Sequence, residues 1–107
     1  MKLERLLVPT DFTETSLCAF QDAVLLATQS QVELFHLHIV DSQDEVDKAR
    51  IDLEMLSNRA LVDHKVRVTN LVRIGEFMKS IGDVACEIGA DLILMGTHGI
   101  KGMQCGF

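Results

Sequence analysis

Short apolar runs that alternate with stretches of helical periodicity constrain this 107-residue chain more than any other feature. Leu6-Leu7-Val8 is a continuous apolar run closed by Pro9-Thr10-Asp11, the pattern of a strand buried on both faces of a parallel sheet and ending at Pro9. Thr13 can cap the next segment, in which Leu17, Phe20, Val24 and Ala27 recur at helical spacing. A second strand spans 32–40, with Leu34, Phe35, Leu37 and Ile39 as its apolar positions. Ser42 and Glu45 then form a capping box that opens a helix with its stripe at Val46, Ala49, Leu53, Leu56 and Ala60.

The alternation continues. Residues 65–74 read as a third, peripheral strand through Val66, Val68, Val72 and Ile74, with Asn70 marking an edge or a bulge. Phe77, Ile81, Val84 and Ile88 predict a third helix, Gly89 sits where a left-handed C-cap belongs, and residues 92–95 predict a fourth buried strand. Short connections between alternating elements predict one α/β domain over 1–107. Its architecture is a doubly wound, three-layer, flavodoxin-like or Rossmann-like parallel sheet.

Charge and composition exclude several function classes. Ten Lys and Arg against sixteen Asp and Glu give a net charge of -6, which opposes nucleic acid and anionic membranes as partners. No apolar run approaches the ~20 residues of a membrane helix, and the first residues lack a signal-peptide core, so a cytoplasmic location is expected. Three cysteines, at 18, 86 and 105, form no Cys-x-x-Cys pair. Reduced thiols are therefore expected, with Cys18 and Cys86 as small core residues and no catalytic cysteine.

In an open parallel sheet ligands bind beyond the carboxyl ends of the strands, where the strand order reverses. That directs attention to Pro9-Thr10-Asp11, to Ile39-Val40-Asp41 and to the glycine-rich segment 96–102. Glycines at 96, 99 and 102 permit close backbone approach to phosphate oxygens, although a turn is an equally good reading of such spacing. Asp11 suits either a ribose or metal-bound water, or the cap of the first helix. Met95 either borders a bound base or is core. His36 and His38 share a strand face, and with no third ligand they are read as satisfied, partly buried histidines rather than as a metal site. His98 can orient the glycine segment or touch phosphate, but no nucleophile accompanies it for general-base chemistry.

Leu-Leu-Val-Pro-Thr-Asp-Phe (6–12), Leu-His-Ile-Val-Asp (37–41) and Ala-Asp-Leu-Ile-Leu-Met-Gly-Thr-His-Gly (90–99) together resemble the universal stress protein family, and Gly-Glu-Phe at 75–77 matches as well. The resemblance implies a doubly wound domain, commonly dimeric, whose nucleotide-binding branch holds ATP with a divalent ion such as magnesium or manganese. It implies that Pro9 and Asp11, with Thr10 between them, lie beside the nucleoside and that Ile39 contacts adenine. Gly96 and Gly99 match the first half of the family's phosphate signature, Gly-x-x-Gly. The second half is expected from position 109, beyond Phe107, as is the fifth strand that carries the dimer contact.

The function implied is a stress-response domain that binds an adenine nucleotide and acts by nucleotide-dependent association as a homo-oligomer, not by catalysis. The alternative is an interaction module of the same fold that binds no nucleotide. Enzymatic activity reaches at most weak ATP hydrolysis or self-phosphorylation, because neither a P-loop nor a kinase signature is present. A phosphoacceptor receiver domain is set aside, since the third strand ends at Ile74-Gly75 without an aspartate.

Overall fold

The structure is a computed structural model and describes residues 2–96. Strand β1 (Arg5–Thr10) leads to helix α1 (Glu14–Gln29), and β2 (Glu33–Val40) passes through a 3-10 turn (Gln43–Glu45) into α2 (Val46–His64). Strand β3 (Val68–Ile74), helix α3 (Phe77–Ile88) and strand β4 (Leu92–Ile93) follow. The four strands form one sheet in the order β3-β2-β1-β4, and every pairing is parallel. This is the α/β, doubly wound architecture that the alternation predicts.

Because side chains alternate across a strand, β1 and β2 feed two apolar layers. Leu6, Val8 and Leu34 pack with Ala19, Phe20, Ala23 and Val24 of α1 and Ala60 of α2. On the opposite face Leu7 and Leu37 pack with Ile81 and Val84 of α3. Leu6, Leu7 and Leu37 are fully buried, and truncating any of them to alanine should cost about 2–5 kcal/mol.

The helix ends are defined by local chemistry. The Thr13 side chain accepts from the backbone N–H of Ser16 at the start of α1. Ser42 and Glu45 form the predicted capping box, but it opens the 3-10 turn that precedes α2. Gly89 takes the left-handed C-cap of α3 with φ 68°. At the other end of α3 the Glu76 carboxylate accepts from the N–H groups of Met78 and Lys79.

Several expectations need correction. Strand β1 runs through Pro9 to Thr10, β3 begins at Val68, and β4 is confined to Leu92–Ile93. Cys86 is exposed because its position on α3 falls outside the arc that faces the sheet, and Phe77, though on the same arc as Ile81 and Val84, is exposed as the first residue of the helix. Cys18 is disulfide-bonded, against the expectation of reduced thiols, since pairing depends on proximity in the fold and not on spacing along the chain.

Candidate functional site

The strand order places β2 on one side of β1 and β4 on the other, so the order in which strands are added reverses at β1 and a crevice opens between the carboxyl ends of β1 and β4. Pro9 contributes to that opening. The carbonyls of Arg5 and Leu7 accept from the N–H groups of Asp91 and Leu94 at 2.9 Å each, so alternate residues of β1 face β4. Pro9 is the next of these, and without an N–H it cannot extend the ladder.

Pro9 shares a face with Leu7, and Leu7 belongs to the apolar cluster beneath α3. Ile39 and Met95 are partly buried in that same cluster. Three of the sequence-predicted residues, Pro9, Ile39 and Met95, therefore lie on one face of the sheet near the strand ends.

The connection from β1 to α1 is held by its own side chains. One oxygen of the Asp11 carboxylate accepts from Thr13 N at 3.0 Å, from the Thr13 hydroxyl and from Ser16 Oγ at 2.7 Å. Capping is thus a role Asp11 already fills. Thr10 Oγ1 accepts from Phe12 N at 3.0 Å and stabilises the left-handed backbone of Phe12, with φ 62°, a region that non-glycine residues seldom occupy. His38 Nδ1 lies 2.7 Å from the Thr10 carbonyl oxygen. Because a carbonyl only accepts, that nitrogen carries the proton. The His38 ring also meets Phe12, with centroids 4.5 Å apart. Phe12 and His38 therefore support the Thr10-Asp11 turn from the face opposite Ile39, a role the sequence did not signal.

Gly96 closes the crevice from β4. A Cβ at that position would stand 2.3 Å from the Thr15 carbonyl oxygen and 2.8 Å from Ser16 N. The segment after β4 thus rests directly on the first turn of α1, which requires glycine on packing grounds alone. His98 and Gly99 lie outside the described residues.

His36 differs from expectation. It is wholly buried, not partly so, and neither ring nitrogen has a hydrogen-bond partner among the described residues. Desolvation, reinforced by the neighbouring His38, lowers its pKa from 6.5 to about 3. His36 is a neutral core side chain. Among the described residues no group of three or more His, Cys, Asp or Glu could hold a metal ion.

A depression of about 360 Å³ lies elsewhere. It is floored by Phe20, Val24, Leu56 and Ala60 between α1 and α2 and contains no residue from the strand ends. At the amino end of β4, Asp91 Oδ2 accepts from the N–H groups of Glu4 and Arg5 at 2.8 Å each. Those two bonds hold its carboxyl below the usual range.

Solved structures share this architecture. A universal stress protein UspA from Lactobacillus plantarum superimposes with a TM-score of 0.80 at 21% identity, covering 99% of this chain and 87% of that one. A universal stress protein family member from Burkholderia pseudomallei gives 0.72 at 27% identity over 90% and 83%. A universal stress protein described in complex with cAMP gives 0.79 at 22% identity over 94% and 78%. Comparison with curated proteins finds no match. The family model of the universal stress proteins matches residues 2–106, and the chain belongs to the universal stress protein family.

Proposed function

We propose that the crevice between β1 and β4 binds an adenine nucleotide, and that occupancy alters what the domain associates with. The observation that carries this reading is the convergence of Pro9, Ile39 and Met95 on one sheet face at the point where the strand order reverses. Pro9, Ile39 and Met95 offer an aliphatic seat for a planar base, and Asp11 with Thr10 flanks the sugar. Gly96 follows β4 on the side of the phosphates, and the Gly-x-x-Gly match of the sequence assigns Gly99, with His98 before it, to the phosphate cradle.

An ATP phosphate chain brings its own magnesium or manganese, in keeping with the sparse carboxylates of the crevice. The described complex of a family member with cAMP concerns a protein whose likeness to this chain carries the fold; the adenine reading rests on the residues themselves. Cytoplasmic location and homo-oligomeric association belong to the same proposal, and no helix among the described residues is long and apolar enough to cross a membrane. Weak ATP hydrolysis or self-phosphorylation would be incidental to such a domain.

One observation favours a second reading, a nucleotide-free interaction module. The Asp11 carboxylate accepts from Thr13 and Ser16, which is what a structural cap does. Calorimetry of the full chain with ATP and magnesium separates the two. Saturable binding that is lost in Ile39→Asp supports the nucleotide site, since the substitution puts a desolvated carboxylate beneath the base. Absence of heat with ATP, ADP and cAMP alike supports the module.

A further inference from the structure

Strand β3 forms an outer edge of the described sheet, paired with β2 alone over seven residues from Leu34↔Val68 to Val40↔Ile74. In a parallel ladder the N–H and C=O of each residue point to the same side, and successive residues alternate. Gly75 N donates to Val40 O at 3.1 Å. The backbone groups of Thr69, Leu71 and Arg73 therefore face β2, and those of Val68, Asn70, Val72 and Ile74 face outward. The Val72 carbonyl agrees with this: it accepts from the Arg73 guanidinium at 3.3 Å instead of from a strand.

A groove of about 280 Å³ runs along this edge, lined by Arg50 and Glu54 of α2 and by Asn70, Leu71, Val72 and Arg73. Its charge is opposite to that of the molecule. In a chain of net charge -6, Arg50 and Arg73 line the groove, and Lys65 and Arg67 immediately precede the strand. Arg50, Lys65 and Arg67 take part in no ion pair among the described residues. Arg73 pairs with Glu87 at 3.2 Å across a half-exposed surface, an interaction weak enough to be exchanged for another carboxylate.

Positive charge along an edge strand discourages pairing with a second copy of the same edge. The same charge accommodates a strand of opposite sign. We propose that the β3 edge is a docking strand for an extended acidic segment of a partner protein, which adds to the sheet by backbone pairing while its carboxylates meet Arg50, Arg67 and Arg73. A peptide supplies N–H and C=O groups at strand spacing to match Asn70, Val72 and Ile74. A nucleic acid supplies no such row of backbone groups.

The test uses the full chain and a blocked peptide that alternates valine or threonine with glutamate, followed by amide NMR. Shift changes are expected at residues 68–74 and at Arg50 and Glu54, with slowed hydrogen exchange at the amides of Asn70, Val72 and Ile74. Affinity should fall about tenfold in Arg50→Glu/Arg67→Glu and should rise as salt is lowered. N-methylation of alternate peptide residues, which leaves the protein untouched, should abolish binding. The proposal is overturned if the lysine-for-glutamate peptide binds as well or the N-methylated peptide binds unchanged. Perturbation elsewhere on the molecule, a chain that dimerises through β3, or a single-stranded oligonucleotide that binds more tightly than the acidic peptide would overturn it equally.

Discussion

The imidazole of His36 lies flat against the ring of Phe20, with centroids 4.0 Å apart and planes within 10°. The contact joins the middle of β2 to α1 across the main apolar layer. Burial there favours the neutral imidazole, because among the described residues a charged ring would have no hydrogen-bond partner.

Acid sensitivity follows. The folded-state pKa of about 3 lies below the unfolded value of 6.5, so the unfolded chain binds a proton that the folded chain refuses. Stability is then intact above about pH 6.5 and falls as the pH is lowered toward 3, with a slope approaching about 1.4 kcal/mol per pH unit. His36→Phe keeps the stacked ring and removes the titrating group. Thermal melts between pH 4.5 and 8 should show the variant gaining on the parent as the pH falls; parallel curves would contradict this account.

Gly96→Ala should destabilise the protein whether or not nucleotide is present. The added methyl meets the Thr15 carbonyl and Ser16 N, which are backbone atoms and cannot rotate away. A loss of about 1–3 kcal/mol in denaturant unfolding without ligand is expected, the range for overpacking. A variant as stable as the parent would mean that the β4 segment does not rest on α1.

Thr13→Ala and Asp11→Ala separate capping from binding. Thr13→Ala removes the side chain that accepts from Ser16 N and should cost about 1 kcal/mol of stability with ATP affinity changed little. Asp11→Ala should lower stability by a similar amount and also weaken ATP. Equal effects on binding in paired melts and titrations would assign Asp11 to the cap alone.

Base selectivity tests the aliphatic seat. Ile39 and Met95 contribute no polar group that could read the edge of guanine, and ATP should bind more tightly than GTP in competition calorimetry. Equal affinities would place the base away from Ile39.

Gly99→Val should lose ATP binding while keeping the circular dichroism of the parent, because a branched residue obstructs backbone approach and disfavours positive φ. Retained affinity would remove Gly99 from the phosphate cradle.

Among the described residues the order of the four strands and three α-helices was legible in the sequence, while the 3-10 turn before α2 and the exposure of Leu92 and Ile93 in β4, expected to be buried, were not. Buried parallel strands need continuous apolar runs such as Leu6-Leu7-Val8, helices need apolar residues at spacings of three and four, and Gly89 marks a left-handed cap; all three signals are local. The strand-end placement of Pro9, Ile39 and Met95 could also be anticipated, since alternating strands and helices put loops at the carboxyl edge. Tertiary structure alone decided the rest. That Gly96 must be glycine because of Thr15, that His38 supports the Thr10 carbonyl, that His36 is sealed without a partner beside Phe20, and that β3 is an edge lined by Arg50 all depend on atoms far apart in the chain. Periodicity reports which face a side chain takes, but packing across the layers determines what it meets there.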